Sequence, residues 1–572
     1  MTNKQIGKIF EEISKILEVK DPQKNRFRVL AYQKAAQAIE NMPDEIVDIY
    51  KRNGTEAIEK IPGVGESISK KIEEIIKTGK LQYLEELKKK LPAGQIEFLE
   101  IPGIGPKMAE KLIRELKAKN IKDLTKKIDS GEADKIFKEK TRANILRGIK
   151  LKESLTGRML INEALPIAEE LVLKIKRIDG VKKVDYVGSL RRMKETIGDI
   201  DIVATADDSK KVIDEFTKFT SVSQVISKGN FKSTIIHQSG VQVDLEMVPE
   251  EEYGSLLQHF TGSKEHNVAL RTYAQTQSKS VSEHGIKYQE KINKFNEEKD
   301  VYNFLGMAWI PPELREDRGE IRSALQNKLP ELIELKDIRG DLHVHSKWSD
   351  GNMMIEEIAK LGEELGYEYI VVSDHTVGLG IAHGLNEKAL EERQKEIDKV
   401  QKNHKIKILS SVEVNIKADA TLDIESWMLE KMDIVTASVH SSFRQEKEVM
   451  TKRIIKAIEN PHIDVIGHPS GRIIGVREPY EVDWPRIFKA CATNNTALEI
   501  SSFPNRLDLR DYLCKEAKSY GVKFAINTDS HLANHLELMR FGVAVARRGW
   551  LAKNDIINTK NLQELINWIN EK

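Results

Sequence analysis

Apolar positions along the chain change their period part-way through, and the change predicts where one kind of architecture gives way to another. Residues 1 to about 95 carry helical spacing; Phe27 to Ala36 is the clearest case, with Asn41-Met42-Pro43 as its stop. Ile61-Pro62-Gly63-Val64-Gly65 then leads into a helical run over 66–77. The same frame returns as Ile101-Pro102-Gly103-Ile104-Gly105 ahead of 106–116. Ile68, Ile72 and Ile75 in the first copy, and Met108, Leu112 and Leu116 in the second, fall on one face. The pair predicts a repeat of helix, Gly-x-Gly turn and helix. A third stretch, 138–149, lacks the glycines.

From 155 the character is mixed. A helix is predicted over 162–175, with strands over 184–187, 200–204 and 241–247. Residues 250–318 read as a small mixed unit ending in Trp309-Ile310-Pro311-Pro312. A charged stretch with Pro330 reads as a connector. From Asp341 onward, apolar strand-like runs alternate with helical segments, the pattern of an α/β domain. The predicted pieces are 1–95, 96–154, 155–250, 251–318, a linker over 319–338, and 339–572.

Composition narrows the picture. The chain has 572 residues, 40% of them hydrophobic, and a formal net charge of +1, so it is not a strongly basic nucleic-acid binder as a whole. Any contact with nucleic acid must come from local patches or backbone amides. Two cysteines, Cys491 and Cys514, exclude a disulfide framework and a Cys-rich zinc module, which fits a reducing cytoplasm. The opening residues do not read as a signal peptide, and no apolar run is long enough to span a bilayer.

The richest chemistry begins at Gly188-Ser189-Leu190-Arg191-Arg192, followed by Gly198-Asp199-Ile200-Asp201. Alternation along a strand puts Asp199 and Asp201 on one face and Ile200 and Ile202 on the other. The same alternation over 241–248 exposes Asp244. Three hard oxygen ligands on one sheet suit paired Mg²⁺ ions carrying a triphosphate, with Gly188, Ser189 and Arg192 gripping its phosphates. Alone, Gly198-Asp199 also reads as a surface turn and the arginines as solvated. The Gly-x-Gly turns at Gly63, Gly65, Gly103 and Gly105 present backbone amides to a DNA phosphate, or else simply cap helices.

Ten of the 14 histidines lie beyond residue 340. Several follow apolar strand-like runs: His375 after 369–373, Glu413 after 406–412, His440 after 434–439, His468 after 465–467, and Asp529 with His531 after 522–526. His343 and His345 share a strand face, with Asp350 a turn later. Ligands at successive strand ends converge at the mouth of a barrel. Mixed nitrogen and oxygen donors suit Mn²⁺, Zn²⁺ or Fe²⁺.

Gly188 to Asp201, Asp244 and the two hairpins together resemble the family X DNA polymerases. The resemblance extends through His259-Phe260-Thr261-Gly262-Ser263 and on to Asn267 and Arg271. It implies that Phe260 and Gly262 shape the nucleotide pocket, Asn267 reaches the minor-groove edge of the base, and Arg271 meets the template. The aromatic pair in that family usually starts with Tyr, and here it starts with His259. Lys71 falls where a family member keeps its Schiff-base lysine; an exposed, solvated lysine is the other reading. The histidine-rich part resembles the PHP (polymerase and histidinol phosphatase) domain. His343, His345, Asp350, His375, Glu413, His440, His468, Asp529 and His531 each match a ligand position there. Asn415 and Ser501 depart from the pattern without replacing a ligand.

The resemblance implies a lyase-like helical region, a fingers-like helix-hairpin-helix region, an α+β nucleotidyltransferase palm and a small thumb-like unit. After these it implies a distorted seven-stranded β/α barrel with three metal ions. The implied activity is DNA-directed DNA synthesis filling short gaps in repair, with Mn²⁺-dependent 3′→5′ exonuclease activity and sometimes cleavage at abasic sites. The expected partners are gapped or primer-template DNA and deoxynucleoside triphosphates. A monomer in a prokaryotic, nucleoid-associated cytoplasm is expected. A phosphoesterase tethered to DNA and a non-catalytic DNA-end-binding protein are the competing readings.

Overall fold

The computed structural model describes the chain except residues 1–2, 21–23, 41, 43–44, 60, 62–63, 90–94, 379–383 and 572. It divides into two compact units, Met1–Thr156 with Gly475–Glu478, and Gly157–Ile474 with Pro479–Lys572.

The described part of the first unit is helical. One core runs from Ile6 to Leu87 and a second from Phe98 to Ile149. The helix after each Gly-x-Gly frame forms where its spacing predicts. Gly65 caps helix Glu66–Thr78, which buries Ile68, Ile72 and Ile75. Gly105 caps Pro106–Arg114, a helix with proline in its first turn, where the missing N–H has no intrahelical partner to lose. The third stretch, without the Gly-x-Gly frame, is the long helix Glu139–Leu155.

The second unit contains the sheets. Five strands, β1 (Val181–Tyr186), β2 (Asp199–Ala206), β3 (Val222–Lys228), β4 (Lys232–His237) and β5 (Gln242–Met247), lie in the order β1-β2-β5-β4-β3. β2 and β5 are parallel, with Asp201 paired to Asp244. Their inward faces (Ile200, Ile202, Val243, Leu245) pack under helix Ile161–Lys176 in one apolar core. β3 and β4 do not stand out in the apolar pattern. β3 is an edge strand exposed along most of its length, so no inward face marks it.

Helices Tyr253–Thr261 and Lys264–Thr276 lead into a small sheet and a core of Leu270, Val281, Ile286, Tyr302 and Leu305, which Trp550 joins from far along the chain. The segment predicted as a connector, 319–338, carries helix Glu320–Leu325 and buries Glu320, Ala324, Ile333 and Ile338. Its apolar residues are too widely spaced among charges to show a period.

Seven parallel strands follow: β6 (Gly340–Val344), β7 (Tyr369–Val372), β8 (Lys407–Asn415), β9 (Ile434–Ser438), β10 (Val465–Ile466), β11 (Ala497–Ser501) and β12 (Phe524–Asn527), paired in sequence order. Val344 bridges to Ser530, and the His345 amide donates to the Ser530 carbonyl at 2.8 Å, so the last strand returns to the first. The result is a nearly closed barrel with helices between its strands, and its strands read as continuous apolar runs because both faces are covered.

Candidate active sites

The turn after β1 begins at Gly188, whose φ is +64°. A Cβ there would lie 2.8 Å from Asp201 Oδ2, so only glycine lets the turn come this close to the carboxylate. The Val187 amide donates to the Asp201 carbonyl at 2.8 Å and ties the turn to β2. Asp199 is exposed and Asp201 and Asp244 are half-buried on the same face. Thr234 Oγ1 donates to Asp244 Oδ1 at 2.5 Å and Gln242 Nε2 to Oδ2 at 3.0 Å, which fixes that carboxylate. Burial, then the charges of Asp199 and Asp244, push the Asp201 carboxyl up to about 6. Crowded acids of this kind are electrostatically costly unless a cation sits among them. Mg²⁺ fits this donor set.

The two arginines after Ser189 turn toward the neighbouring helices. Arg191 forms a two-pronged pair with Glu298, at 2.8 and 3.0 Å, and reaches Thr261 Oγ1 at 2.6 Å. Arg192 donates to Glu316 Oε1 at 3.0 Å and to the Thr261 carbonyl at 2.5 Å. Gly262 follows, and a Cβ on it would meet Arg192 Nη1 at 3.1 Å. Phe260 packs edge-on against His259, with ring centroids 5.4 Å apart. Asn267 accepts from Gln258 and donates to the His259 carbonyl, both at 2.8 Å, while Arg271 donates to His259 Nδ1 at 3.2 Å. His259 is thus held from two sides by residues of the next helix. Gly198 lies against Arg158 Nη1, 3.1 Å from where its Cβ would stand.

At the barrel mouth all nine predicted side chains converge. Three overlapping groups, His345-Asp350-His375-His531, His343-His345-Asp529 and His375-Glu413-His440, each bring ligand atoms within 4.8 Å of one another. His468 Nε2 lies 3.1 Å from Glu413 Oε1, and His440 Nε2 lies 3.2 Å from the same oxygen. Glu413 Oε2 faces His375 at 3.0 Å, His343 at 3.4 Å and His345 at 3.6 Å. His343 Nε2, both ring nitrogens of His345, and Nδ1 of His440 and His468 are buried without a hydrogen-bond partner. Buried nitrogens are seldom left so, and a bound metal would give several of them a partner. Burial, and then His531 and His375, bring the His345 imidazole down to about 4, the neutral form that binds metal.

One residue that shapes this centre does not figure among the predicted ligands. Glu499 sits in the apolar strand β11; it pairs with His343 Nδ1 at 2.8 Å and accepts from the His468 amide at 2.6 Å and Asn527 Nδ2 at 2.9 Å. Its signal in the sequence is an acid flanked by Leu498 and Ile500 in a buried strand. Such a carboxylate fixes which imidazole nitrogen faces a metal.

In the helical unit, Lys71 Nζ donates to the Ser67 carbonyl and hydroxyl, both at 2.9 Å, and lies 6.0 and 5.5 Å from the ring centroids of Tyr32 and Tyr83. Burial and then Arg28 lower its pKa. Gly103 takes φ +84°, Gly65 and Gly105 stand at helix starts, and Gly63 lies outside the described residues.

Three family models match the chain: a helix-hairpin-helix domain over residues 1–81, the DNA polymerase beta thumb over 256–316 and the PHP domain over 341–503. The chain is 35% identical over 572 residues to the DNA polymerase/3′-5′ exonuclease PolX of Bacillus subtilis, covering 99% of each. A probable phosphatase of Thermoanaerobacter sp. is 31% identical over 232 residues, 38% of this chain and 89% of the phosphatase. DNA polymerase lambda of Arabidopsis thaliana is 26% identical over 350 residues, 55% of this chain and 62% of the plant protein.

Proposed function

The chain belongs to the family X DNA polymerases that carry a C-terminal PHP domain, and from that membership we propose a repair enzyme that fills short DNA gaps at one site and trims 3′ ends at another. The observation that carries this reading is the coexistence of two separate cation-seeking constellations in one chain. One is Asp199, Asp201 and Asp244 behind a glycine turn; the other is the nine-residue cluster at the barrel mouth.

At the palm, Mg²⁺ would be held by the three aspartates and would supply the charge neutralisation that in-line attack on an α-phosphate needs. The chain's own residues do the rest. Thr234 and Gln242 hold Asp244 in orientation. The Gly188-Ser189 turn and Arg192 take the triphosphate. Phe260 and Gly262 form the pocket wall, and Asn267 and Arg271 set the place of the base pair through His259. The Gly-x-Gly turns grip the DNA backbone through amides, which needs no net positive charge.

At the barrel mouth, Mn²⁺, Zn²⁺ or Fe²⁺, three ions in all, would be held by the nine side chains. They would supply a nucleophile and a clamp for a phosphodiester, including at abasic sites. Glu413 joins the histidine groups, and Glu499 keeps His343 in one tautomer. Lys71 would form a Schiff base with an abasic sugar, helped by its lowered pKa. Borohydride should then trap a DNA adduct in the parent protein and none in Lys71→Ala. The site of action is the cytoplasm, at the nucleoid, and among the described residues no helix is long and apolar enough to cross a membrane.

The deciding experiment follows extension and shortening together on one-nucleotide-gapped DNA with each metal in turn. Asp201→Ala should abolish extension and spare shortening, and His343→Ala should do the reverse. Equal extension by the parent and Asp201→Ala would remove the palm assignment. The likeness to a probable phosphatase favours a second reading, a phosphoesterase acting on small esters. It predicts that hydrolysis of p-nitrophenyl phosphate outpaces DNA shortening.

A further inference from the structure

The arginine behind the phosphate-binding turn is held from the barrel. Arg192 Nε donates to Glu316 Oε1 at 3.0 Å. That carboxylate is shared with Lys194 at 3.5 Å and with Arg548 at 3.1 Å. Arg548 ends the helix Met539–Arg548, whose apolar face packs on the barrel strands. Its Nη1 also donates to the Arg192 carbonyl at 2.7 Å, and its Nη2 to Asp511 Oδ2 at 2.7 Å. The Arg548 side chain is 4% exposed, and those of Arg192 and Glu316 are each 12% exposed. One residue of the barrel domain thus touches the backbone of the polymerase turn and also the carboxylate that holds the turn's arginine.

Other contacts run along the same seam. Arg472 Nη2 meets Glu195 Oε2 at 2.7 Å, and Lys515 donates to the Arg318 carbonyl at 2.5 Å. Buried Leu190 and Ile197 belong to the same apolar cluster as Met539 and Phe541 of the barrel helix. A planar guanidinium held at both its backbone and its Nε has few orientations left. A donor fixed in this way binds a phosphate without first losing rotamer freedom. Because three cations share the Glu316 carboxylate, the cluster keeps a net positive charge for an anion.

We propose that Arg548 is a positioning residue for nucleotide binding at the palm, acting through Glu316 and the Arg192 carbonyl. The proposal rests on the reading of Arg192 as a triphosphate contact. It gives the barrel a part in DNA synthesis that is separate from its own metal centre.

Arg548→Met tests it without stranding a charge, since Asp511 keeps Arg318 at 3.2 Å and Glu316 keeps Arg192 and Lys194. The expected result is a KM for deoxynucleoside triphosphate raised about tenfold, the equivalent of one charge-assisted hydrogen bond, with kcat changed little. Mn²⁺-dependent shortening of single-stranded DNA by the same preparation should be unchanged. Arg548→Lys should recover part of the loss, because an ammonium can satisfy one of the partners. Glu316→Gln should also raise KM, and the double variant should be no worse than the larger single effect. An unchanged KM in Arg548→Met, or a parallel fall of both activities with a lower Tm, would overturn the proposal. Arg192→Ala separates the premise: a KM unchanged in that variant would remove the triphosphate contact itself rather than the coupling to it.

Discussion

On the palm, three carboxylates stand on the face of an open sheet, one of them exposed, with Lys232 the cation that acts on Asp201. At the barrel mouth, six imidazoles and three carboxylates gather with His343 and His345 at 0% exposure. The palm tolerates like charges because water reaches them, and partial burial together with the charges of Asp199 and Asp244 already raises the Asp201 pKa to about 6. The barrel mouth can be deep because most of its donors are neutral when they bind. Its acids are each surrounded by rings, as Glu413 is by His375, His440 and His468. An all-oxygen donor set suits a hard ion such as magnesium, and a mixed nitrogen and oxygen set suits the later divalent ions.

The sharpest way to break this contrast is to cross the two sites. Asp244→Asn should lower primer extension at least about 10³-fold and leave shortening intact, whereas Glu413→Gln should lower shortening by about 10²-fold or more and leave extension intact. Loss of both activities in either variant would show that the sites are not independent.

A smaller effect is expected at Glu499. Glu499→Gln keeps the shape of the side chain but removes the charge behind His343, so Mn²⁺ affinity measured by calorimetry should fall about 10- to 100-fold. An unchanged affinity would mean that the imidazole is oriented by packing alone.

The smallest effect concerns stability. Asp201 has a folded pKa of about 6 against an ordinary 3.8, so the native protein holds its proton to higher pH than the unfolded chain does. Stability of the metal-free protein should therefore fall as pH rises from about 4 to about 6 and stay lower above that. Asp201→Asn should stabilise the metal-free protein by about 2 kcal/mol at pH 8, with the gain vanishing near pH 4. Saturating Mg²⁺ should restore the parent's Tm at pH 8 and leave the variant unmoved.

Much of this was legible in residue order because it depends on local periods. The alternation at 199–202 placed the aspartates on one face and the isoleucines beneath, as the burial of Ile200 and Ile202 has it. The strand ends that meet at the barrel mouth were visible because their apolar runs stop at a histidine or acid. Glu499 was not singled out, since its partners His343 and Asn527 are remote in sequence. Strand β3 was hidden because an exposed edge strand has no apolar face to show, and β4 because its buried face is Ser233, Ile235 and His237, with one apolar residue among the three.

The sequence by itself determined the repeat of the Gly-x-Gly frame, the paired aspartates and the histidines and acids that end apolar runs in the barrel, each read from the local pattern around one element. Only the tertiary structure decided what those residues lean on. It packed 319–338 through Glu320 and Ile333, carried Trp550 into the core beside Leu270, and brought Arg548 onto the Arg192 carbonyl. Trp550 and Leu270, like Arg548 and Arg192, are separated by hundreds of residues, and long-range pairing of charges and apolar faces leaves no period along the chain to read.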